Sequence, residues 1–166
     1  VLMIATSTDL IHWHKTSDKL VVPQDGYDPM EWRDPYVFWH ADTHEYIMIL
    51  GARKLDGKKV RTGRTVYFTS KDLKAWDFKG DFWAPDLFYM HEMPDCFKCG
   101  DYWYLLTTEY SDKSKTIYRM SKTLSGPWLA PVDDAFDGSA YYAARSYSVG
   151  AHRYLFGWVP TKEDED

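Results

Sequence analysis

The stretch IATSTDLIHW, residues 4–13, decides the fold because the chain repeats it as YFTSKDLKAW at residues 67–76. A looser third copy, YRMSKTLSGPW, occupies residues 118–128. The tryptophans that end the copies are 63 and 52 residues apart. Serine and aspartate hydrogen-bond readily to the backbone of turns, and tryptophan suits packing between sheets. We therefore predict that each copy closes the turn between a third and a fourth strand.

A second repeat is interleaved with the first. Three short segments, which contain Phe38, Phe97 and Tyr147, each precede a turn and a strand rich in aromatic residues. These three residues are 59 and 50 positions apart. A period near 50 residues, built from about four short strands, is typical of the blades of a β-propeller. Because helix formers do not recur at helical spacing, the predicted fold is all-β.

The number of repeats predicts an incomplete propeller. Propellers close with roughly four to eight blades, whereas the repeats of this chain account for about three. We expect residues 1–166 to be part of a single β-propeller domain. The apolar start Val1-Leu2-Met3-Ile4 resembles a chain cut inside a strand, and because it has no basic segment before the apolar residues we expect no signal peptide. We expect a cytoplasmic protein, with an extracellular one as the alternative if the natural N-terminus lies upstream.

The composition excludes several classes of protein. Of the 166 residues, 45% are hydrophobic and 27% are charged, which excludes a disordered chain. The net charge of -5 disfavours nucleic acid and anionic membranes as partners, and no apolar run reaches the ~18 residues of a membrane span. Cys96 and Cys99 lack the second pair of a zinc ribbon, and the six histidines show no metal-ligand spacing. We therefore predict reduced structural cysteines, no metal and no other cofactor.

The candidate chemistry lies at the start of each inner strand. Inner strands of a propeller converge on its axis, so residues far apart in sequence meet at one mouth. The residues at these positions are Arg33, Asp34, Glu92, Tyr142 and Arg145. Paired carboxylates beside aromatic residues are the groups that glycoside hydrolysis requires. We expect Asp34 and Glu92 to lie close together, at equivalent positions in their blades.

Three segments resemble those of a known family. EWRDPYVFW at residues 31–39 resembles the Arg-Asp-Pro motif of glycoside hydrolase family 32, the β-fructofuranosidases. HEMPDCF at residues 91–97 resembles its Glu-Cys-Pro motif, with Met93 in place of cysteine. Residues 137–146, followed by LFGW at residues 155–158, resemble the segment that ends in the Gly-Trp strand of the family. The resemblance covers almost the whole chain and implies a catalytic five-bladed β-propeller, usually followed by a β-sandwich.

The resemblance also implies roles for the residues at the mouth. Glu92 matches the general acid/base, which protonates the leaving oxygen and later activates water. Asp34 matches the transition-state stabiliser, and Arg33 would hold a sugar hydroxyl or orient the carboxylates. Tyr142 and Trp83 are expected to bind substrate, Trp83 as an aromatic platform for a sugar ring. Without the resemblance, Asp34 could be a turn residue before proline, and Glu92 a solvent-facing strand residue.

The sequence departs from the family at one point. The nucleophile of the family is an aspartate in an Asn-Asp-Pro motif on the first blade, and this chain contains no asparagine. Asp28-Pro29 is the only loose match, and it lies too close to Asp34 to belong to another blade. We therefore expect the nucleophile, the first and last blades and the β-sandwich to lie outside these residues.

The predicted activity is hydrolysis of β-fructofuranosidic bonds, in sucrose or in inulin- and levan-type fructans, with retention of configuration. One alternative is a five-bladed glycosidase that acts on arabinosides or xylosides, whose carboxylates lie in different local motifs. The other alternative is a propeller that binds carbohydrate without catalysis, which the missing nucleophile favours if the chain is complete.

Overall fold

The computed structural model of the protein describes residues 1–110, 115–136 and 141–159. These residues form eleven β-strands and no helix, hence none long and apolar enough to cross a membrane. The all-β prediction is confirmed. The strands are β1 (Leu2–Thr6), β2 (His14–Val21), β3 (Tyr27–His40), β4 (Glu45–Lys54), β5 (Gly63–Ser70), β6 (Asp77–Trp83), β7 (His91–Cys99), β8 (Tyr102–Glu109), β9 (Thr116–Ser121), β10 (Tyr142–Val149) and β11 (His152–Trp158).

The strands are grouped into four antiparallel sheets in sequence order. β3 to β6 form a four-stranded sheet and β7 to β9 a three-stranded sheet, while β1–β2 and β10–β11 form one pair each. Within each sheet every strand pairs with the next strand of the chain, so the connections are hairpins. A four-stranded meander of this kind is the blade of a β-propeller, which is the unit that the sequence repeats predict.

The repeated Ser-x-Asp-Leu motif forms the turn between β5 and β6. The Ser70 hydroxyl accepts hydrogen bonds from the amides of Asp72 and Leu73, at 3.3 and 2.9 Å. The Asp72 carboxylate accepts hydrogen bonds from the amides of Lys74 and Ala75, at 2.9 and 3.0 Å. The first copy of the motif makes the same four bonds between β1 and β2. The predicted turn between a third and a fourth strand is therefore confirmed for the second copy, and the first copy closes a turn with the same bonds between β1 and β2.

β4 is buried on both faces and separates two hydrophobic layers. Met48, Leu50 and Ala52 belong to the layer between this sheet and β1–β2. Ile47 and Ile49 belong to the layer between this sheet and β7–β9. All five side chains are at most 5% exposed. Because side chains alternate along a strand, one continuous apolar run fills both layers.

Gly51 lets β4 approach the first strand of the next sheet. A Cβ atom at this position would lie 1.9 Å from the carbonyl oxygen of His91, so only glycine fits. In the sheet, Gly51 pairs with Arg33 of β3. The close approach therefore places Arg33 beside the start of β7, where Glu92 follows His91.

Candidate active site

The inner strands β3, β7 and β10 share a β-bulge near their starts. Between Arg33 and Tyr36, β3 advances three residues while β4 advances only two, from Gly51 to Ile49. The same count of three against two occurs in β7 and in β10. An extra residue of this kind bends a strand and redirects its side chains. The residues that flank the bulges are Arg33 and Tyr36 in β3, Glu92 and Asp95 in β7, and Tyr142 and Arg145 in β10.

Each bulge contains one residue with left-handed backbone geometry. The φ angles of Asp34, Met93 and Ala143 are 62°, 48° and 55°. None of the three is glycine, so each conformation costs free energy that the surrounding structure must offset. Backbone strain of this kind concentrates at functional sites. Its repetition in three neighbouring strands marks this end of the inner strands as the candidate active site.

The residues just before the bulges contact one another, and we call Arg33, Glu92 and Tyr142 the mouth layer. Arg33 donates to Oε1 of Glu92 from Nη2 at 2.6 Å and from Nε at 3.2 Å. The hydroxyl of Tyr142 donates to Oε2 of the same carboxylate. Both oxygens of Glu92 are therefore bonded, one by a cation and the other by a phenol. The structure thus brings together three of the residues that the sequence singles out.

Asp34 lies within the β3 bulge, beside the mouth layer. Its Oδ2 accepts a hydrogen bond from the amide of Met93 at 3.1 Å. Since Met93 follows Glu92, the two predicted carboxylates lie at the same end of neighbouring inner strands. Their positions are not equivalent, which corrects the expectation from sequence. Alignment of the bulges matches Glu92 with Arg33, and Asp34 with Met93.

Glu31 is a member of this cluster that the sequence analysis missed. Its carboxylate forms an ion pair with Nη1 of Arg33, so Arg33 bridges Glu31 and Glu92. Burial opposes the charge on Arg33, but the hydrogen bonds to Glu92 and Glu31 outweigh it and raise the pKa of Arg33 above its ordinary value. The spacing of two residues along one strand places Glu31 and Arg33 on the same face, which was the available signal.

Trp83 is not part of this cluster, and this corrects its predicted role as a sugar platform. The residue is 9% exposed. Its ring centre lies 4.8 Å from that of His91, and the guanidinium carbon of Arg119 lies 5.4 Å from it. A ring enclosed by packed groups offers no open face to a sugar. We therefore assign Trp83 to the hydrophobic layer between β3–β6 and β7–β9.

Other polar features of the described residues lie apart from the mouth. A cleft of about 610 Å³ is lined by His40, at the end of β3, and by Trp103, and it contains none of the predicted site residues. Cys96 is buried, Cys99 is exposed, and both are free. Within the described ranges, no three His, Cys, Asp or Glu side chains group so as to hold a metal ion. Residues 137–140 of the third family-like segment lie outside the described residues.

The blade-like meanders define this chain as part of a β-propeller. Its candidate active site lies at the mouth, where carboxylates, an arginine and a tyrosine are grouped at the start of the inner strands. Its residues 1–166 match the model of the glycosyl hydrolases family 32 N-terminal domain. The chain belongs to glycosyl hydrolase family 32, as the motifs around Asp34 and Glu92 predict. The β-propeller prediction is thereby confirmed.

Curated relatives and solved structures agree with this family. The sucrose-6-phosphate hydrolase of Escherichia coli is 28% identical over 174 residues, which cover 96% of this chain and 35% of the relative. The raffinose invertase of Escherichia coli is 28% identical over 186 residues, which cover 99% of this chain and 37% of the relative. The crystal structure of fructan 1-exohydrolase IIa from Cichorium intybus has a TM-score of 0.76 at 18% identity, over 96% of this chain and 34% of that one. This chain thus spans about a third of the length of the curated relatives it matches.

Proposed function

We propose that this chain supplies the acid/base half of a retaining β-fructofuranosidase active site, which hydrolyses sucrose or inulin- and levan-type fructans. The observation that carries the proposal is Glu92, bonded on both oxygens by Arg33 and Tyr142, with Asp34 in the neighbouring bulge. Membership of the family supports the reaction class. Relatives named raffinose invertase and levanase support fructosides as the substrates.

Glu92 is the proposed general acid/base. In the first step its carboxylic acid protonates the glycosidic oxygen as the bond to the leaving group breaks. In the second step the same group, now a carboxylate, takes a proton from the water that attacks the fructosyl intermediate. The hydrogen bonds from Arg33 and Tyr142 hold this carboxylate in one orientation for both steps.

Asp34 is the proposed transition-state stabiliser. Its bond to the amide of Met93 fixes the carboxylate relative to the strand that carries Glu92. A carboxylate anchored in this way can accept hydrogen bonds from the hydroxyl groups of a furanose ring. Such bonds strengthen as positive charge develops on the ring in the transition state. Asp34 would therefore act on the sugar and not on the leaving group.

The covalent nucleophile is proposed to come from sequence outside these residues. Retention requires a further carboxylate that attacks the anomeric carbon from the opposite side to the acid/base. The chain contains no Asn-Asp-Pro motif and spans about a third of its curated relatives. We therefore expect the isolated chain to release no more fructose from sucrose or inulin than its Glu92→Gln variant does. Turnover above that level would place the nucleophile within this chain.

The test of the proposal uses Glu92→Ala and Asp34→Asn in the full-length protein, with sucrose and a nitrophenyl fructoside as substrates. Both variants should lower kcat on sucrose by roughly 1,000-fold. The nitrophenyl leaving group needs little protonation, so Glu92→Ala should lower the rate of the first step on the nitrophenyl fructoside much less than on sucrose. Azide should then restore turnover of Glu92→Ala by attacking the fructosyl intermediate without base assistance. Asp34→Asn should respond neither to the leaving group nor to azide.

The same measurements expose failure of the proposal. Equal losses of Glu92→Ala on both substrates, with no response to azide, would remove Glu92 from the acid/base role. Hydrolysis of arabinosides or xylosides in place of fructosides would support the related glycosidase activities. Binding of sucrose or fructan by the full-length protein without any turnover would support a propeller that only binds carbohydrate.

A further inference from the structure

Three residues lie directly beyond the bulges, and we call Tyr36, Asp95 and Arg145 the lower layer. They occupy equivalent positions, because each follows the bulge of its own strand by the same number of residues. Asp95 is 0% exposed. The guanidinium carbon of Arg145 lies 5.4 Å from the ring centre of Tyr36. The proposed function gives none of these three residues a task.

Arg145 contacts the backbone of both other inner strands. Its Nη1 donates to the carbonyl of Pro94 at 2.5 Å. Its Nη2 donates to the carbonyls of Asp34 and Pro35, at 3.2 and 3.5 Å, and lies 3.9 Å from the sulfur of Met93. These partners lie within or directly after the bulges of β3 and β7. One side chain of β10 therefore ties together the two bulges that carry the proposed catalytic carboxylates.

We propose that Arg145 is a positioning residue, which fixes the bulges of β3 and β7 against each other and so sets the geometry between Asp34 and Glu92. The kinetic part of this proposal rests on the proposed function. The structural part stands on the bonds of Arg145 alone.

Arginine suits this position because of what a bulge does to the backbone. An extra residue interrupts the ladder, so that carbonyl groups near it need a hydrogen-bond donor from elsewhere. The planar guanidinium group offers five donors in a fixed fork, and it reaches carbonyls of two strands at once. A lysine at the same position would keep the charge but would offer a single ammonium group on a flexible stem.

The backbone next to Arg145 is itself held in place. Oδ2 of Asp95 accepts hydrogen bonds from the amide and from the hydroxyl of Ser146, both at 2.7 Å. The same hydroxyl accepts a hydrogen bond from Nη1 of Arg153 at 2.6 Å. β10 is thereby tied to β7 one residue after Arg145. The guanidinium group thus works from a fixed base and imposes its geometry on the two bulges.

The first test measures the geometry without measuring activity. The amide of Met93 is protected from hydrogen exchange while it bonds to Asp34. In the full-length protein, Arg145→Ala and Arg145→Lys should each raise the exchange rate of this amide by about tenfold or more. Arg119→Ala is the matched control, because Arg119 is a buried arginine that donates to the backbone carbonyl of Tyr118 at 2.8 Å and to Asp134 at 2.7 Å, without touching a bulge. It should leave the rate unchanged. An unchanged rate in the Arg145 variants, or an equal rise in Arg119→Ala, overturns the proposal.

The second test measures what this geometry does for the reaction. Arg145→Ala should lower kcat on sucrose by about 100-fold while KM changes less than about threefold, because a displacement of about 1 Å at the reacting groups has this effect. Free guanidinium ion at low concentration should raise the kcat of Arg145→Ala about tenfold, and methylammonium ion should leave it unchanged. A variant that has only lost stability would be inactivated further by guanidinium, because guanidinium is a denaturant.

The two tests separate failure of this proposal from failure of the proposed function. If the wild-type protein hydrolyses no fructoside, the proposed function fails, and the exchange rate of the Met93 amide alone decides the role of Arg145. If Arg145→Ala does not fold, Arg145→Lys decides it with the same two readouts. If exchange rises while both Arg145 variants keep the wild-type kcat, the proposal that Arg145 sets the geometry of the carboxylates is overturned.

Discussion

The mouth layer and the lower layer contain the same three kinds of residue on the same three strands. Each has one arginine, one carboxylate and one tyrosine, and the carboxylate lies on β7 in both. In the mouth layer, Arg33 and Glu92 bond to each other, and their side chains are 34% and 13% exposed. In the lower layer, Arg145 bonds to backbone carbonyls, and Asp95 bonds to Ser146 at 0% exposure. The same kinds of group are therefore used in two different ways, three residues apart along each strand.

The difference shows that the partner and the exposure of a group decide its role, more than its chemical type does. Side chains that bond to one another at an open mouth remain within reach of a substrate. A carboxylate that bonds to a neighbouring strand away from water, as Asp95 does, holds the strands but cannot reach a ligand, and its loss leaves buried groups without partners. We therefore expect loss of the carboxylate in the mouth layer to lower activity first, and loss of the carboxylate in the lower layer to lower stability first.

The largest expected effect is the loss of activity at the carboxylate of the mouth layer. Glu92→Gln keeps the shape of the side chain but removes its ionisable group, so kcat on sucrose should fall by about 1,000-fold in the full-length protein. The free energy of unfolding, measured by urea denaturation, should change by less than about 1 kcal/mol. A loss of several kcal/mol would mean that the mouth layer holds the fold, and the contrast between the two layers would not stand.

The matching substitution on the same strand should have the opposite effect. Asp95→Asn can keep an amide oxygen on the two donors of Ser146, but it removes the charge from both bonds and buries an NH₂ group at the position of Oδ1, so the free energy of unfolding should fall by about 2–3 kcal/mol. The kcat of the folded protein should fall far less than in Glu92→Gln. Asp101→Asn, in the exposed turn after β7, serves as the control and should change stability by less than about 0.5 kcal/mol. Equal free energies of unfolding for Asp95→Asn and Asp101→Asn would show that the bonds of Asp95 do not stabilise the fold.

A third expected effect separates two neighbours on β7 by pH. His91 precedes Glu92 and is fully buried, and burial, followed by the charges of Arg64 and Arg119, lowers the pKa of His91 from 6.5 to about 3. Between these values the unfolded chain binds a proton that the folded chain does not, so stability falls as the pH drops from 6.5 towards 3. At pH 5 the loss relative to pH 7.5 should be about 2 kcal/mol.

The measurement is the free energy of unfolding in urea at several pH values. His91→Gln should remove this part of the pH dependence, whatever it does to stability at neutral pH. His152→Gln, at an exposed position of β11, should keep the wild-type profile. If His91→Gln and the wild-type protein lose stability in parallel between pH 6.5 and pH 5, a different group is responsible.

The smallest expected effect comes from a single hydroxyl group of the mouth layer. Tyr142→Phe removes the donor to Oε2 of Glu92 and leaves the ion pair with Arg33 in place. One hydrogen bond to a charged group corresponds to a fall in kcat of roughly tenfold. Tyr147→Phe, at an exposed position on the same strand, should change kcat by less than about twofold. An unchanged kcat in Tyr142→Phe would show that Arg33 alone orients Glu92.

The fold can be predicted from the sequence because its turn motif acts over short distances. Ser70 and Asp72 bond to amides within three residues of themselves, so a copy of the motif in sequence is a copy of the turn in structure. The spacing between copies then sets the length of a blade. The apolar run of β4 is likewise visible in the sequence, and its alternation fills two layers at once.

The site can be predicted only in part, because its bulges depend on the register of two strands. Asp34, Met93 and Ala143 share a backbone conformation but no chemical property, so no residue pattern indicates the extra residue. Because the sequence does not show the bulges, it places Asp34 and Glu92 at equivalent strand positions, whereas Asp34 lies within a bulge and Glu92 lies before one. Trp83 illustrates a second limit, because the neighbouring sheet decides whether a tryptophan is buried, and its own strand does not.

β4 has no side that faces water, and this restricts how the sequence can change in length. Inserting or deleting one residue within β4 would reverse the faces of the strand beyond that point, so that Ile49 and Leu50 could not both keep their layers. The same slip would move Gly51 away from His91 and press a side chain against that carbonyl oxygen. Insertions and deletions in homologous chains should therefore avoid β4 and collect in the loop after it. Residues 55–61 of that loop are all exposed, so the chain can lengthen there without reaching either layer.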